Sequence, residues 1–215
     1  MCHPEGYKQP PTLVLGIGNV LWADEGFGVR AVEALNAGWR FPPEVTFMDG
    51  GTQGLYLLPH VQDARRMVVF DAIDYGLPPG TLQVIRDGDI PRYLGIGKMS
   101  LHQSSFQEVL SLAGLSGQAP ERAVLIGVQP QVLMDFGGSL TPVVRATIPQ
   151  AIAVALEVLA TWGSPGSPRP DGETAPLFDP SLALDPYESG RPGEDEACRI
   201  GDARLLARRA AAAGR

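Results

Sequence analysis

LVLGIGNVLWADEGFGVRAVEAL, from Leu13 to Leu35, passes from an apolar run through a glycine turn into apolar positions with helical spacing. The segment TLVLGIG reads as a buried strand. Phe27, Val29, Ala31, Val32 and Leu35 then define the buried stripe of a helix expected over about Gly26 to Asn36. Strand, glycine turn and helix together are the grammar of a nucleotide-binding unit, and GIGN supplies two glycines of G-x-G-x-x-G. Leu21, however, stands where the third should be. Asp24 and Glu25 also occupy the helix N-terminus where a pyrophosphate would have to sit, and like charges oppose that placement.

Outward from this unit, EVTFMDGG, RMVVFDAI, GTLQVIRD and RAVLIGVQP read as further strands. GLYLLPHV reads as a short helix stopped near Pro59, SSFQEVLSLAG as a helix, and TIPQAIAVALEVLATW as a last helix with an apolar face over four turns. Strands separated by helices in this rhythm predict a largely parallel sheet with helices on both faces. The fold class is therefore α/β, a three-layer sandwich with a twisted, mostly parallel sheet. After Trp162 the segment GSPGSPRPDGETAPLFDP replaces apolar periodicity with Pro, Gly, Ser and charge. A domain over residues 11–162 and a mobile C-terminal tail over 163–215 are expected.

The chain has 215 residues, 44% of them apolar, enough for one substantial core. No run of about 18 consecutive apolar residues occurs, so no membrane insertion is expected. MCHPEGYKQPP has neither the charged start nor the apolar stretch of a signal peptide, which points to the cytoplasm. Cys2 and Cys198 lie outside the patterned region and supply neither a disulfide framework nor a thiolate cluster. A net charge of −7 argues against nucleic acid as a partner.

Parallel sheets bind ligands beyond the carboxyl ends of their strands. There the sequence puts Asn19, Asp24 and Glu25 after the first strand, Asp49 after the second, Asp71 and Asp74 after the third, and His102 ahead of a later helix. Such a set suits a divalent metal such as Ni, Zn, Mn or Fe. It equally describes an ordinary charged rim: Glu25 can favour a helix N-terminus, Asp49 can hold the DGGT turn, and His102 can cap or pack. No G-x-S-x-G or H-E-x-x-H is present, and neither cysteine has the setting of a nucleophile.

The stretches GIGNVLWADEGFGVRAVEAL, DGGT, VVFDAIDYG and MSLHQ, in this order, resemble the hydrogenase maturation proteases over about residues 12–162. The resemblance implies an endopeptidase that removes a short C-terminal extension from the large-subunit precursor of a nickel-iron hydrogenase after nickel insertion. It implies Glu25, Asp71 and His102 as metal ligands, the metal being nickel carried by the precursor, and Asp49 or Asp71 as the carboxylate that activates water. GKMSLHQ and DGGTQGLYLLP look most like the branch serving membrane-bound uptake hydrogenases. A noncatalytic metal-binding chaperone for the same precursor is the alternative.

Overall fold

A computed structural model describes residues 11–90, 101–170, 172–173 and 175–192, with the side chains of 101–105 outside the description. The elements in chain order are β1 (Thr12–Ile17), α1 (Phe27–Gly38), β2 (Trp39–Arg40), β3 (Val45–Gly51), α2 (Leu58–Asp63), β4 (Arg66–Ala72) and β5 (Leu82–Arg86). There follow α3 (Leu101–Leu115), β6 (Arg122–Val128), α4 (Pro142–Arg145), α5 (Ile148–Thr161), β7 (Ser167–Pro168) and α6 (Leu184–Ser189). Five strands form one sheet in the order β3-β1-β4-β6-β5, parallel except for β5, which runs antiparallel to β6.

Side chains alternate across the sheet, so each strand feeds two cores. Val14, Val68, Phe70, Val124 and Ile126 pack with α1 and α5 on one face. Leu13, Leu15, Met67, Val69 and Leu125 pack on the other with Val61 of α2 and with Phe106, Val109 and Ala113 of α3. Burial on both faces is why the strands read as continuous apolar runs. The glycines of the opening stretch serve this packing: a Cβ on Gly28 would lie 2.2 Å from the Ile17 carbonyl oxygen and 2.3 Å from that of Phe70. Backbone contact between α1 and the sheet, rather than a phosphate cradle, accounts for that glycine.

Several expectations are adjusted. Pro59 lies in the first turn of α2 rather than at its end, where its missing N–H removes no helical hydrogen bond. His102 falls inside α3, in its first turn, rather than before it. Pro142–Thr161 has the length and mean hydropathy, 1.6, of a membrane span, although no long uninterrupted apolar run marks it. It comprises α4 and α5, and Ala151, Ala155, Val158 and Leu159 of α5 are buried in the core.

The packed body does not end at Trp162. β7 pairs with β2, Asn36 donates to the Ala175 carbonyl at 2.7 Å, and Arg169 donates to the carbonyls of Asn36 and Trp39. Arg30, buried on α1, donates to the Leu182 carbonyl and lies 5.4 Å from the Tyr187 ring centroid. The described residues between 164 and 192 thus form an arm against α1; residues 193–215 lie outside the description.

Candidate functional site

Chain direction places the expected residues before any side chain is considered. β1 pairs with β3 on one side and β4 on the other, so the chain moves outward in opposite directions from the β1/β4 junction. In a doubly wound sheet this is where a crevice opens at the carboxyl ends of the strands. Asp71 is the penultimate residue of β4, and Glu25 lies in the 3-10 turn Ala23–Gly26 that follows β1. α3 reaches the same rim from the other end. Ser116, just past its C-terminus, accepts from Gln62 at 3.0 Å beside the start of β4, and the helix is 15 residues long. Its first turn, with the backbone of His102 one turn before buried Phe106, therefore lies about 22 Å away toward the carboxyl rim.

Alternation puts Asp71 on the α2/α3 face with Met67 and Val69, and it is 1% exposed. Its partner across the ladder is Gly127. A Cβ on Gly127 would lie 2.3 Å from the Tyr75 hydroxyl oxygen, so the phenol occupies the space beside Asp71. Gln129, buried just beyond β6, holds the segment carrying Tyr75. Its carbonyl oxygen accepts from the Tyr75 and Leu77 amides at 2.7 and 3.1 Å, and its amide nitrogen donates to Asp74 at 3.0 Å.

Asp24 and Glu25 are adjacent but play different parts. Asp24 is fully buried, and its carboxylate accepts from the amides of Gln131, Val132 and Thr141 at 2.7–2.9 Å and from the Thr141 hydroxyl at 3.0 Å. It clamps the β6–α4 loop to the turn. Glu25 is half-buried beside that clamp, and a Cβ on Gly18, where φ is +127°, would lie 1.8 Å from the Glu25 carbonyl oxygen. Only glycine fits there, which fixes the turn against the end of β1.

Asp49 is not brought into the same cluster. It stands level with Gly16, two strand spacings from β4, or about 10 Å from the Asp71 backbone. Val45 and Phe47, on its side of β3, belong to the α1/α5 core, whereas Asp71 belongs to the opposite face. Its carboxylate accepts from the Gly51 amide at 2.8 Å. Burial raises its pKa above the ordinary value of 3.8, while the Gly51 hydrogen bond and the nearby Arg30 charge oppose the rise.

Among the described residues no three His, Cys, Asp or Glu side chains form a metal-sized group. The implied set includes His102, whose side chain lies outside them. Two carboxylates and an imidazole would supply oxygen and nitrogen donors suited to Ni or Zn in the divalent state. Gln129 and Tyr75 were not among the residues singled out from sequence. The rule that directed attention to the ends of the other strands applies equally to the residue after β6.

Carboxylates at the strand ends around a topological switch point, without a nucleophile motif, define the candidate site of an α/β protein that binds its ligand at the sheet rim. Residues 29–158 match the family model for hydrogenase maturation protease. The chain is 56% identical over 197 residues to the hydrogenase expression/formation protein HoxM of Azotobacter vinelandii, covering 92% of this chain and 95% of that one. It is also 56% identical over 201 residues to HupD of Thiocapsa roseopersicina, covering 93% of this chain and 91% of that one. The solved structure of the hydrogenase maturating endopeptidase HybD from E. coli superposes with a TM-score of 0.70 at 38% identity, covering 74% of this chain and 97% of that one. The chain belongs to the hydrogenase maturation protease family and is a protease, which sets aside the chaperone alternative.

Proposed function

We propose that this protease removes the C-terminal extension of a nickel-iron hydrogenase large-subunit precursor, in the cytoplasm, after nickel has been inserted. The substrate's nickel serves as the recognition element. What supports the reading is that the end of β4, the turn after β1 and the direction of α3 carry the backbones of Asp71, Glu25 and His102 toward the same rim. Three protein ligands leave coordination positions open, so a metal already held by substrate groups could accept them, whereas an empty precursor would offer nothing to engage.

In this reading Glu25, Asp71 and His102 orient the precursor through its nickel, and Asp49 accepts the proton of the attacking water from the other face. Its raised pKa makes it a stronger base than an ordinary exposed aspartate. Water adds to the scissile carbonyl, the carbon–nitrogen bond breaks, and the proton taken from water passes to the leaving amine.

The test is intact-mass analysis of nickel-loaded and nickel-free precursor after incubation with the protein or its Glu25→Ala variant. Loss of a C-terminal peptide from the loaded precursor alone, and only with the unmodified protein, is expected. Cleavage of both precursors at equal rates would overturn the nickel requirement.

A further inference from the structure

We propose that an apolar ridge beside the rim, formed by exposed Leu21, Val132, Met134 and Phe136 around half-buried Trp22, docks an apolar segment of the hydrogenase precursor. The inference rests on the function proposed above and locates a second contact outside the expected metal ligands.

The ridge inverts ordinary alternation. Along Val132–Phe136, Val132, Met134 and Phe136 are exposed, the latter two at 79% and 64%, whereas Leu133 and Asp135 between them are half-buried. A solvated loop usually turns such side chains inward, and a contiguous apolar patch left outside marks a contact surface. The ridge is also held in place rather than left to collapse. Phe136 meets Trp22 edge to face at 5.4 Å, the Gly137 amide donates to the Leu21 carbonyl at 2.7 Å, and the Asp24 amide donates to that of Val132 at 3.1 Å. The buried Asp24 carboxylate fastens both loops from beneath. Preorganisation of this kind lowers the ordering cost of binding.

Position chooses the occupant. The ridge is continuous with the turn bearing Glu25, since Trp22 precedes it by three residues, so a chain presented at the rim passes over it. An apolar segment of that chain complements the exposed side chains of the ridge.

The experiment measures affinity by titration with nickel-loaded precursor, and KM and kcat by cleavage of the same precursor. Met134→Glu should weaken binding and raise KM about tenfold with kcat within about twofold, the pattern of a lost docking contact. Met134→Lys should weaken both to a similar degree, because either charge removes the apolar contact at the centre of the ridge. Leu115→Asp, 86% exposed at the far end of α3, should change neither. Equal affinity for unmodified and Met134 variants, or a Met134→Glu effect on kcat alone, would overturn the proposal. A concentration-dependent dimer that dissolves on Met134→Glu would assign the ridge to a second copy and overturn it too. Titration does not depend on cleavage. A protein that binds loaded precursor through the ridge but leaves it uncut would therefore refute the proposed protease chemistry and spare the docking surface.

Discussion

Asp24 and Asp71 are the two acidic residues that the fold removes almost wholly from solvent among the described residues, at 0% and 1% exposure. Both stand at the carboxyl ends of parallel strands, yet their surroundings differ in kind. Asp24 spends its carboxylate on three amides and a hydroxyl of a single loop, and the result is mechanical. Asp71 points to the face where α3 approaches, at the topological switch point, beside a phenol positioned by Gln129. Burial of a carboxylate therefore identifies nothing by itself. The source of its donors and its place in the topology separate a structural clamp from a candidate ligand.

The sharpest way to break this contrast is to change each acid alone. Asp71→Asn, nearly isosteric, should reduce cleavage of nickel-loaded precursor on the order of a hundredfold or more while shifting Tm by no more than about 2 °C. A Tm loss comparable to that of the Asp24 variant would show Asp71 to be a structural residue. Asp24→Ala should leave three amides and a hydroxyl without their acceptor. The cost of about 3 kcal/mol or more corresponds to a fall in Tm of roughly 10 °C, read by thermal denaturation. An unchanged Tm would mean that the loop holds itself.

The C-terminal arm extends the comparison from single residues to a segment. Truncation after Gly163 should lower Tm by roughly 5 °C, because Arg30 loses its carbonyl and aromatic partners and the β2–β7 pairing disappears. Cleavage at low temperature should persist, since none of Glu25, Asp71 and His102 lies on the arm. The HybD structure covers 74% of this chain whereas the HoxM match covers 92%, so a segment of this length belongs with the HoxM-like relatives. Loss of cleavage in a truncated protein with unchanged Tm would give the arm a direct part in recognition.

How much of this was legible follows from the range of the interactions. Strands buried on both faces leave continuous apolar runs, and helices packed on them leave 3.6-residue periodicity, so β1, β3, β4, β6, α1 and α5 could be read from local pattern. The arm could not. Its contacts are long-range and polar, such as Asn36 to Ala175, and its Pro- and Gly-rich composition imitates a disordered tail. The division of labour between Asp24 and Glu25 was equally hidden, because the donors to Asp24 lie 107–117 residues further along the chain. For Asp49, sequence offered both a turn anchor and a catalytic acid. The Gly51 hydrogen bond places it in the turn, and its proton affinity leaves room for the second role.

Asp49 supplies the smallest effect and the finest discrimination. Its folded-state pKa is raised above 3.8, chiefly by burial, so the folded protein holds this proton more tightly than the unfolded chain does. Below 3.8 both states are protonated and the group is neutral to stability. As pH rises from there through the folded-state value, ionisation costs the folded state more, and stability falls by an amount that persists at neutral pH. Asp49→Asn keeps an acceptor for the Gly51 amide and removes the charge. It should therefore raise Tm at pH 7 by roughly 2 °C, with the gain shrinking as pH approaches 4. The same variant should bind nickel-loaded precursor with unchanged affinity and cut it more slowly. A pH-independent Tm difference would show that the charge is not the cause, and an unchanged kcat would return Asp49 to the turn alone.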